Sequence, residues 1–353
     1  MSKKSLNAKI VTPKNKILIH LKDRKIKRIY QSFKQSLRPF LKKNKFAVGV
    51  SGGVDSLSLA FFLKCLSLDR KIKVFYYHVD HGLRENSDKQ AEQLFKILNK
   101  VGIKIEILKW TGSKPNSNIQ KIARDNRYGL IFKKMSKNNV KNLLVAHHKN
   151  DSIENFLIRL IRGSGLEGLS SFHSKHIIYK DKNIFRPLLS FNKKDLEYVT
   201  KSVFKSFIED RSNYEKKYQR SRIRGILSKL ETEGFNLSKM NLTIKNLSLS
   251  NFSIDYIVKK NLEINSHINL RKNFAIFNEN FLKQPDEIIF RSISLILNQI
   301  NHRYYPSRGK KIVRLINEIK KPNFKKTTLA KCFIEKFGNT YKITQENVKK
   351  KGK

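Results

Sequence analysis

The chain is short of cysteine, of acidic side chains and of unbroken apolar runs, and each shortage removes a class of protein. Its two cysteines, Cys65 and Cys332, lie far apart with no CxxC. Neither a disulfide framework nor a zinc or iron–sulfur site built from cysteines is available within the chain, and a cytoplasmic, reducing location is expected. No stretch approaches the ~20 apolar residues of a membrane span, and the N-terminus lacks the apolar core of a secretion signal, so no membrane partner is expected. Only 28 Asp and Glu oppose 75 Lys and Arg, a formal net charge of +47 over 353 residues. Such a field suits a polyanion, and nucleic acid is the leading partner even if coding bias supplies part of the lysine.

A 39% hydrophobic content is ordinary for a globular protein, and the length allows two domains. The stretch that organises them is Phe46 to Ser56, FAVGVSGGVDS, an apolar strand running into a small turn and then into the apolar helix Leu57 to Leu68. Ala47, Val48 and Val50 read as a buried strand, and Ser56 or Asp55 starts the helix. Free N–H groups at the helix start and two side-chain-free residues, Gly52 and Gly53, make the turn an anion site. No Gly-Lys-Ser or Gly-Lys-Thr follows, so it is not a Walker loop, and the turn itself is not GxGxxG. SGGVDS after a strand resembles the pyrophosphate loop of N-type ATP pyrophosphatases. That resemblance implies ATP cleaved between the α- and β-phosphates.

Strand Lys73 to Val79 ends in Asp80, His81, Gly82, Leu83 and Arg84. Ligands of open parallel sheets gather beyond the C-terminal strand ends, so His78 and His81 are either satisfied histidines or site residues. Helix Ser87 to Lys100, strand Ile103 to Leu108, helix Asn118 to Lys137 and strand Leu143 to Ala146 continue the alternation. The pattern predicts an α/β fold with a doubly wound, mostly parallel sheet. Arg124, Arg127 and Tyr128 share a helix neighbourhood and either clamp phosphate or solvate a face.

The fourth strand ends at AHHKNDSIENFLIRLIRGSGLEGL. Asp151 and Glu154, three apart at a helix start, put two carboxylates on one face. Oxygen ligands beside a triphosphate suit magnesium better than zinc, although acidic residues in a first helical turn also favour the dipole without a metal. Arg162 to Gly165 form a basic loop, and Arg220, Arg222 and Arg224 form a basic strip suited to a phosphate backbone. The expected organisation is a basic segment at 1–45, with 15 basic residues and one acidic, Asp23, then a catalytic domain at 46–226. A smaller helical domain at 227–322 and a hairpin with a basic tail at 323–353 complete it, the hairpin pairing Thr328–Phe337 with Tyr341–Thr344 around Gly338-Asn339.

With SGGVDS, HVDHGLRENS, IARDNRYGLI, AHHKNDSIENFLIRLIRGSGLEGL, RPLL and EDRSN followed by YQRSRIR in this order, the chain resembles the tRNA(Ile)-lysidine synthetases, from about Phe46 to Ile226. The resemblance implies that ATP adenylates the C2 oxygen of the wobble cytidine in a tRNA(Ile) with a CAU anticodon. Free L-lysine then displaces AMP. It places the nucleotide on Ser51, Gly52, Gly53, Val54, Asp55 and Ser56, with His78, Asp80 and Arg124. It makes Asp55, Asp151 and Glu154 the magnesium and catalytic carboxylates, with His148 as a further catalytic residue. Arg84, Arg162, Arg220, Arg222 and Arg224 are expected to contact tRNA. Val54 stands where proline is frequent, Arg211 replaces the proline of an Asp-Pro-Ser-Asn turn, and the C-terminal part is short. Two alternatives are a tRNA-thiolating enzyme of the same loop class, for which paired cysteines are missing, and a non-enzymatic RNA-binding protein. The sequence leaves a homodimer open.

Overall fold

A computed structural model describes residues 13–41, 44–83, 86–112, 115, 119–173, 176–179, 181–209, 219–301 and 309–346. Strand β1 (Lys45–Gly49) buries Phe46, Ala47 and Val48 completely, because helices cover both faces of its sheet. Parallel partners flank it, β2 (Lys73–Asp80) with Ala47 opposite Phe75 and β4 (Asn142–Leu144) with Ala47 opposite Leu143. With β3 (Ile105–Lys109), β5 (His176–Tyr179) and β6 (Lys182–Phe185) the order is β3-β2-β1-β4-β6-β5, parallel except for β5. The doubly wound, mostly parallel sheet is thus present, with an antiparallel edge hairpin. From β1 the chain winds outward through β2 and β3 and returns to β4 on the other side. The crevice of such a sheet opens where that direction reverses, between β1 and β4.

One face carries α2 (Arg24–Leu37), α3 (Val54–Asp69), α4 (Ser87–Asn99) and α8 (Lys193–Phe204), and the other carries α5 (Ile119–Lys137) through Ile131, Phe132 and Met135. A short helix, α1 (Pro13–Leu18), precedes α2. Asp23 caps α2 by accepting from Ile26 N–H at 2.9 Å. Ile26, Ile29, Tyr30, Phe33 and Leu37 then form one buried stripe, and Phe33 stacks on Phe62 at 5.1 Å. Each such side chain contributes ~1.5–3 kcal/mol of burial. Within the basic segment before Phe46, the charges of Arg24–Leu37 therefore ride on a helix whose other face belongs to the core.

Helix α3 is apolar all round, and hydroxyls fix it against α8. Ser58 donates to the Leu196 carbonyl at 2.7 Å and lies 2.8 Å from Thr200, whose hydroxyl donates to the Val54 carbonyl at 2.8 Å. On the crevice side, α6 (Lys149–Ile161) packs against α9 (Gln219–Thr232) and the start of α10 (Leu237–Asn265) through Ile153, Phe156, Ile223, Leu227 and Ile244. A short α7 (Leu166–Ser170) follows α6.

The chain divides into compact units after Ser248, within α10 and beyond the break expected after Ile226. The second unit has α11 (Asp286–Ile300) and α12 (Gly309–Ile319) on an antiparallel sheet ordered β7-β8-β11-β10-β9. Its strands are β7 (Ser266–Asn269), β8 (Phe274–Asn278), β9 (Lys326–Leu329), β10 (Cys332–Phe337) and β11 (Thr340–Gln345). The closing hairpin is present as β10 and β11, but its first arm is two strands, split where Ala330 and Lys331 both take positive φ, 57° and 61°. The region expected to be a small helical domain also contributes β7 and β8, so helices and hairpin share one core. Among the described residues no helix is long and apolar enough to cross a membrane.

Candidate active site

The turn after β1 is held open by its own groups. Ser56 Oγ accepts from Ser51 and Gly52 N–H, both at 3.2 Å, and donates to the Gly53 carbonyl at 2.9 Å. Gly53, extended at φ −75°, caps α3, so the helix starts at Val54, one or two residues before the expected Asp55 or Ser56. The first N–H groups of α3 have no helical carbonyl to bond and point out of the turn. Gly52 sits at φ +92°, a conformation that favours glycine, and its carbonyl accepts from Ile208 N–H at 2.9 Å. A Cβ added there would lie 2.7 Å from Ile208 Cδ1 and 3.2 Å from Ile208 Cβ.

β4 delivers the second wall. His148 caps α6, its backbone N–H donating to Asp151 Oδ2 at 2.9 Å. Its Nδ1 accepts from Asn150 N–H at 3.2 Å, which leaves the imidazole proton on Nε2. That nitrogen lies between two carboxylates, 3.6 Å from Asp55 Oδ2 and 3.7 Å from Asp151 Oδ2. Residues nearly a hundred positions apart thus meet across the β1/β4 crevice. Burial pushes the Asp55 carboxyl above the ordinary range, with His148 opposing and Asp151 reinforcing. For Asp151 burial also pushes upward, but His148, His147, Arg220 and the His148 N–H together bring it below the ordinary value. Asp55 Oδ1 is buried with no hydrogen-bond partner.

The remaining expected residues divide. Glu154, 3% exposed, faces Arg224 in a fork, with Nε at 2.6 Å from Oε1 and Nη2 at 3.3 Å from Oε2. Arg220 is half-buried, near enough to Asp151 and His147 to act on both. Arg222 is exposed. The basic strip is therefore not one strip: on α9 a two-residue spacing turns the chain about 200°, and Arg222 leaves the face shared by Arg220 and Arg224. Arg162 is exposed and bonds Gln219. His78 Nδ1 lies 2.8 Å from the Val50 carbonyl, and Asp80, buried, accepts from Gly82 N–H at 3.0 Å. Arg124 is exposed, its guanidinium 5.4 Å from the Tyr128 ring centre. Arg84 and Arg211 lie outside the described residues.

A neighbourhood that the motifs did not single out lies behind these residues. His147 packs edge-on to Phe172 at 4.9 Å, and buried Arg186 stacks on Phe172 at 4.6 Å while donating to its carbonyl at 3.2 Å. Burial, then the charges of Arg186, Arg220 and Arg124 against Asp151, hold His147 at about 3. His81 is held at about 4, by burial and then by Arg127 and His78, with neither ring nitrogen bonded. Both imidazoles are neutral at any working pH. The signal for Arg186 was available: an arginine inside an otherwise apolar FRPLL is a buried cation that needs a reason.

Residues 21–231 match the PP-loop domain family. A tRNA(Ile)-lysidine synthase from Wolbachia pipientis wMel is 34% identical over 309 residues, 86% of this chain and 71% of that protein. The chain belongs to the tRNA(Ile)-lysidine synthase family. A second family member, from Wolbachia sp. subsp. Brugia malayi, is 32% identical over 311 residues, covering 87% of this chain and 72% of its own length. Among solved structures, a U34-tRNA thiolase from Methanococcus maripaludis, determined with its [4Fe-4S] cluster, superposes with a TM-score of 0.55 at 18% identity. The match covers 64% of this chain and 80% of the thiolase, and the likeness is one of fold.

Proposed function

We propose that this chain, as a lysidine synthase, uses ATP to adenylate the C2 oxygen of the wobble cytidine of a CAU-anticodon tRNA(Ile) and then joins free L-lysine there. AMP and pyrophosphate leave. The observation that carries the reading is the meeting of the glycine turn with Asp55, His148 and Asp151 in the β1/β4 crevice of a lysidine-synthase chain. The turn lacks the P-loop lysine that serves γ-phosphate transfer, and its outward N–H groups suit the β- and γ-phosphates as they become pyrophosphate. A carbonyl-type oxygen such as C2–O is a poor leaving group until it carries AMP. Once it does, the deprotonated lysine ε-amine attacks C2, the C2–O bond breaks with AMP as the leaving group, and the protons of the former ammonium pass to solvent.

A hard divalent cation fits the donor set. Asp55 keeps one buried oxygen without a partner, Asp151 is held ionised beside it, and both are oxygen ligands of the kind magnesium takes. Asp55 and Asp151 would hold it; when bound, magnesium supplies charge neutralisation between the carboxylates and the triphosphate. His148, its ring oriented by the Asn150 N–H at Nδ1, places Nε2 between the two carboxylates and sets their spacing. Arg220, beside Asp151 and His147, supplies positive charge where the α-phosphate or the RNA backbone would lie. The basic surface, Arg222 and Arg162 included, meets tRNA phosphates.

The test is product analysis with purified protein, ATP, L-lysine and tRNA. AMP and lysidine are expected, with neither formed when lysine or tRNA is omitted beyond a slow ATP–AMP background. ADP as the nucleotide product would overturn the reading, and thiolated tRNA in place of lysidine would move the chain to the chemistry of its fold neighbour.

A further inference from the structure

Glu154 was expected beside Asp55 and Asp151 as a third cation ligand, and the structure gives it another partner. Both of its oxygens are engaged in the Arg224 fork, at 2.6 and 3.3 Å, from a position only 3% exposed. A divalent ion would have to break a charge-assisted bidentate pair to reach it and would strand the guanidinium. Asp55 is in the opposite condition, with Oδ1 buried and unpartnered. Asp55 Oδ2 and Asp151 Oδ2 already stand together around His148 Nε2 at 3.6 and 3.7 Å. Among the described residues, no group of three or more His, Cys, Asp or Glu side chains is arranged to hold a metal ion by itself, so phosphate oxygens or water must complete any shell here. Arg224 also feels the charges of Asp151 and Asp55, so it stands within range of all three carboxylates.

We infer that Arg224 is the permanent counter-ion of Glu154, so that a divalent cation in this site is held by Asp55 and Asp151, with Glu154 outside its coordination shell. The inference rests on the reading of this crevice as a magnesium–ATP site and refines which side chains serve it. Two carboxylates, with phosphate oxygens and water completing the shell, is the usual magnesium arrangement at nucleotide sites. The Glu154–Arg224 pair is electrically neutral. It forms a fixed wall between α6 and α9, and Arg224 is a positioning residue for that wall, no longer a contact offered to RNA.

The decisive experiment is a double-mutant cycle read by the binding of Mn2+ alone, followed by electron paramagnetic resonance, with no turnover required. Asp55→Asn and Asp151→Asn should each weaken Mn2+ binding by roughly tenfold or more, each removing a charged ligand. Glu154→Gln alone should also weaken it, because Arg224 loses its counter-ion and turns its charge on the other carboxylates. Arg224→Gln alone should tighten it several-fold, since Glu154 is then free to act as a ligand. The double variant Glu154→Gln, Arg224→Gln restores the original charge and should bind Mn2+ within about twofold of the unaltered protein.

If the double variant is as weak as Glu154→Gln, Glu154 is a ligand and the inference fails. It fails equally if neither aspartate variant affects Mn2+. Should a variant not fold, the unaltered protein still decides the matter through the 1H–15N signal of Arg224 Nε. That signal should keep its downfield, carboxylate-bonded position at saturating Mg2+, and its loss on adding Mg2+ would overturn the inference. Absence of AMP in the product assay, with the cycle behaving as described, would instead remove the lysidine chemistry and leave the cation site standing.

Discussion

Replacing Gly52 by alanine tests whether the turn's conformation, and not merely its flexibility, serves ATP. The added Cβ meets two separate penalties. At φ +92° an L-residue costs about 1–2 kcal/mol relative to glycine. The contact with Ile208 adds a second cost: its Cδ1 and Cγ1, at 2.7 and 3.1 Å, can swing away only by changing rotamer, and its Cβ, at 3.2 Å, cannot move without the backbone. Overpacking of this kind costs about 1–3 kcal/mol. The lower sum, about 2 kcal/mol, is a factor of roughly 30 in an equilibrium constant. If the turn keeps its shape, the penalty lowers stability, at about 2–4 °C of Tm per kcal/mol for a unit of this size. If it relaxes, the N–H groups lose their aim and ATP affinity falls instead. Calorimetric ATP titration and thermal unfolding together capture both routes. A companion Ile208→Ala should return the part of the packing cost carried by Cγ1 and Cδ1 and leave the Cβ contact and the φ part, so the Gly52→Ala, Ile208→Ala double variant stays below Ile208→Ala alone. A Gly52→Ala protein with ATP affinity within about twofold and unchanged Tm would refute the account of the turn.

Asp55→Asn should remove turnover by at least about two orders of magnitude in a single-turnover AMP assay while leaving the protein as stable or more so near neutral pH. Burial raises the folded-state pKa above the unfolded one, so the ionised carboxylate costs stability as pH climbs from the unfolded value through the folded one. The advantage of the Asn variant should vanish in acid. His147, held at about 3 when folded, should make the protein lose about 1.4 kcal/mol per pH unit as pH falls from roughly 6.5 toward that value. The unfolded chain takes up a proton that the folded one refuses, and His147→Gln should flatten that limb in pH-dependent urea unfolding. For tRNA binding across a salt series, Arg222→Gln should reduce the logarithmic slope by about 0.7–0.9, the share of one phosphate contact. An unchanged slope would take Arg222 out of the RNA surface.

What the sequence made legible were the features written in consecutive residues. The buried run Phe46 to Val50, the glycine turn and the strand-helix alternation to Ala146 carry their own periodicity, and the observed elements match them to within a few residues. The capping role of His148 and Asp151 was less visible, because a histidine is an uncommon cap and its geometry depends on Asn150 N–H. The Glu154–Arg224 pair spans 70 positions and leaves no local trace. Arg220, Arg222 and Arg224 looked like a strip because alternate spacing suits an extended chain. Once Gln219 starts a helix, the same spacing scatters them. In the second unit, β7 and β8 are only four and five residues long, directly after the 29 residues of α10, and their brief alternation is submerged in its Leu and Ile pattern.

The hydroxyl contacts between α3 and α8 bear on how accurately the turn is aimed. Ten of the sixteen residues of α3 are buried, on every side, so hydrophobic packing alone gives this cylinder no preferred roll about its axis. A rotation by one residue, about 100°, would exchange one set of apolar side chains for another at little cost in buried area. Ser58 and Thr200 make that exchange expensive, since each would then leave a hydroxyl stranded in the core. They work as a key in a slot. Because Thr200 reaches the carbonyl of Val54, the first helical residue, the slot lies at the start of α3 and fixes the direction in which its first N–H groups point. Thr200→Val, nearly the same in shape, would leave the core filled and Ser58 on the Leu196 carbonyl, but would remove the half of the key that reaches Val54, so the start of α3 would lose part of what sets its roll.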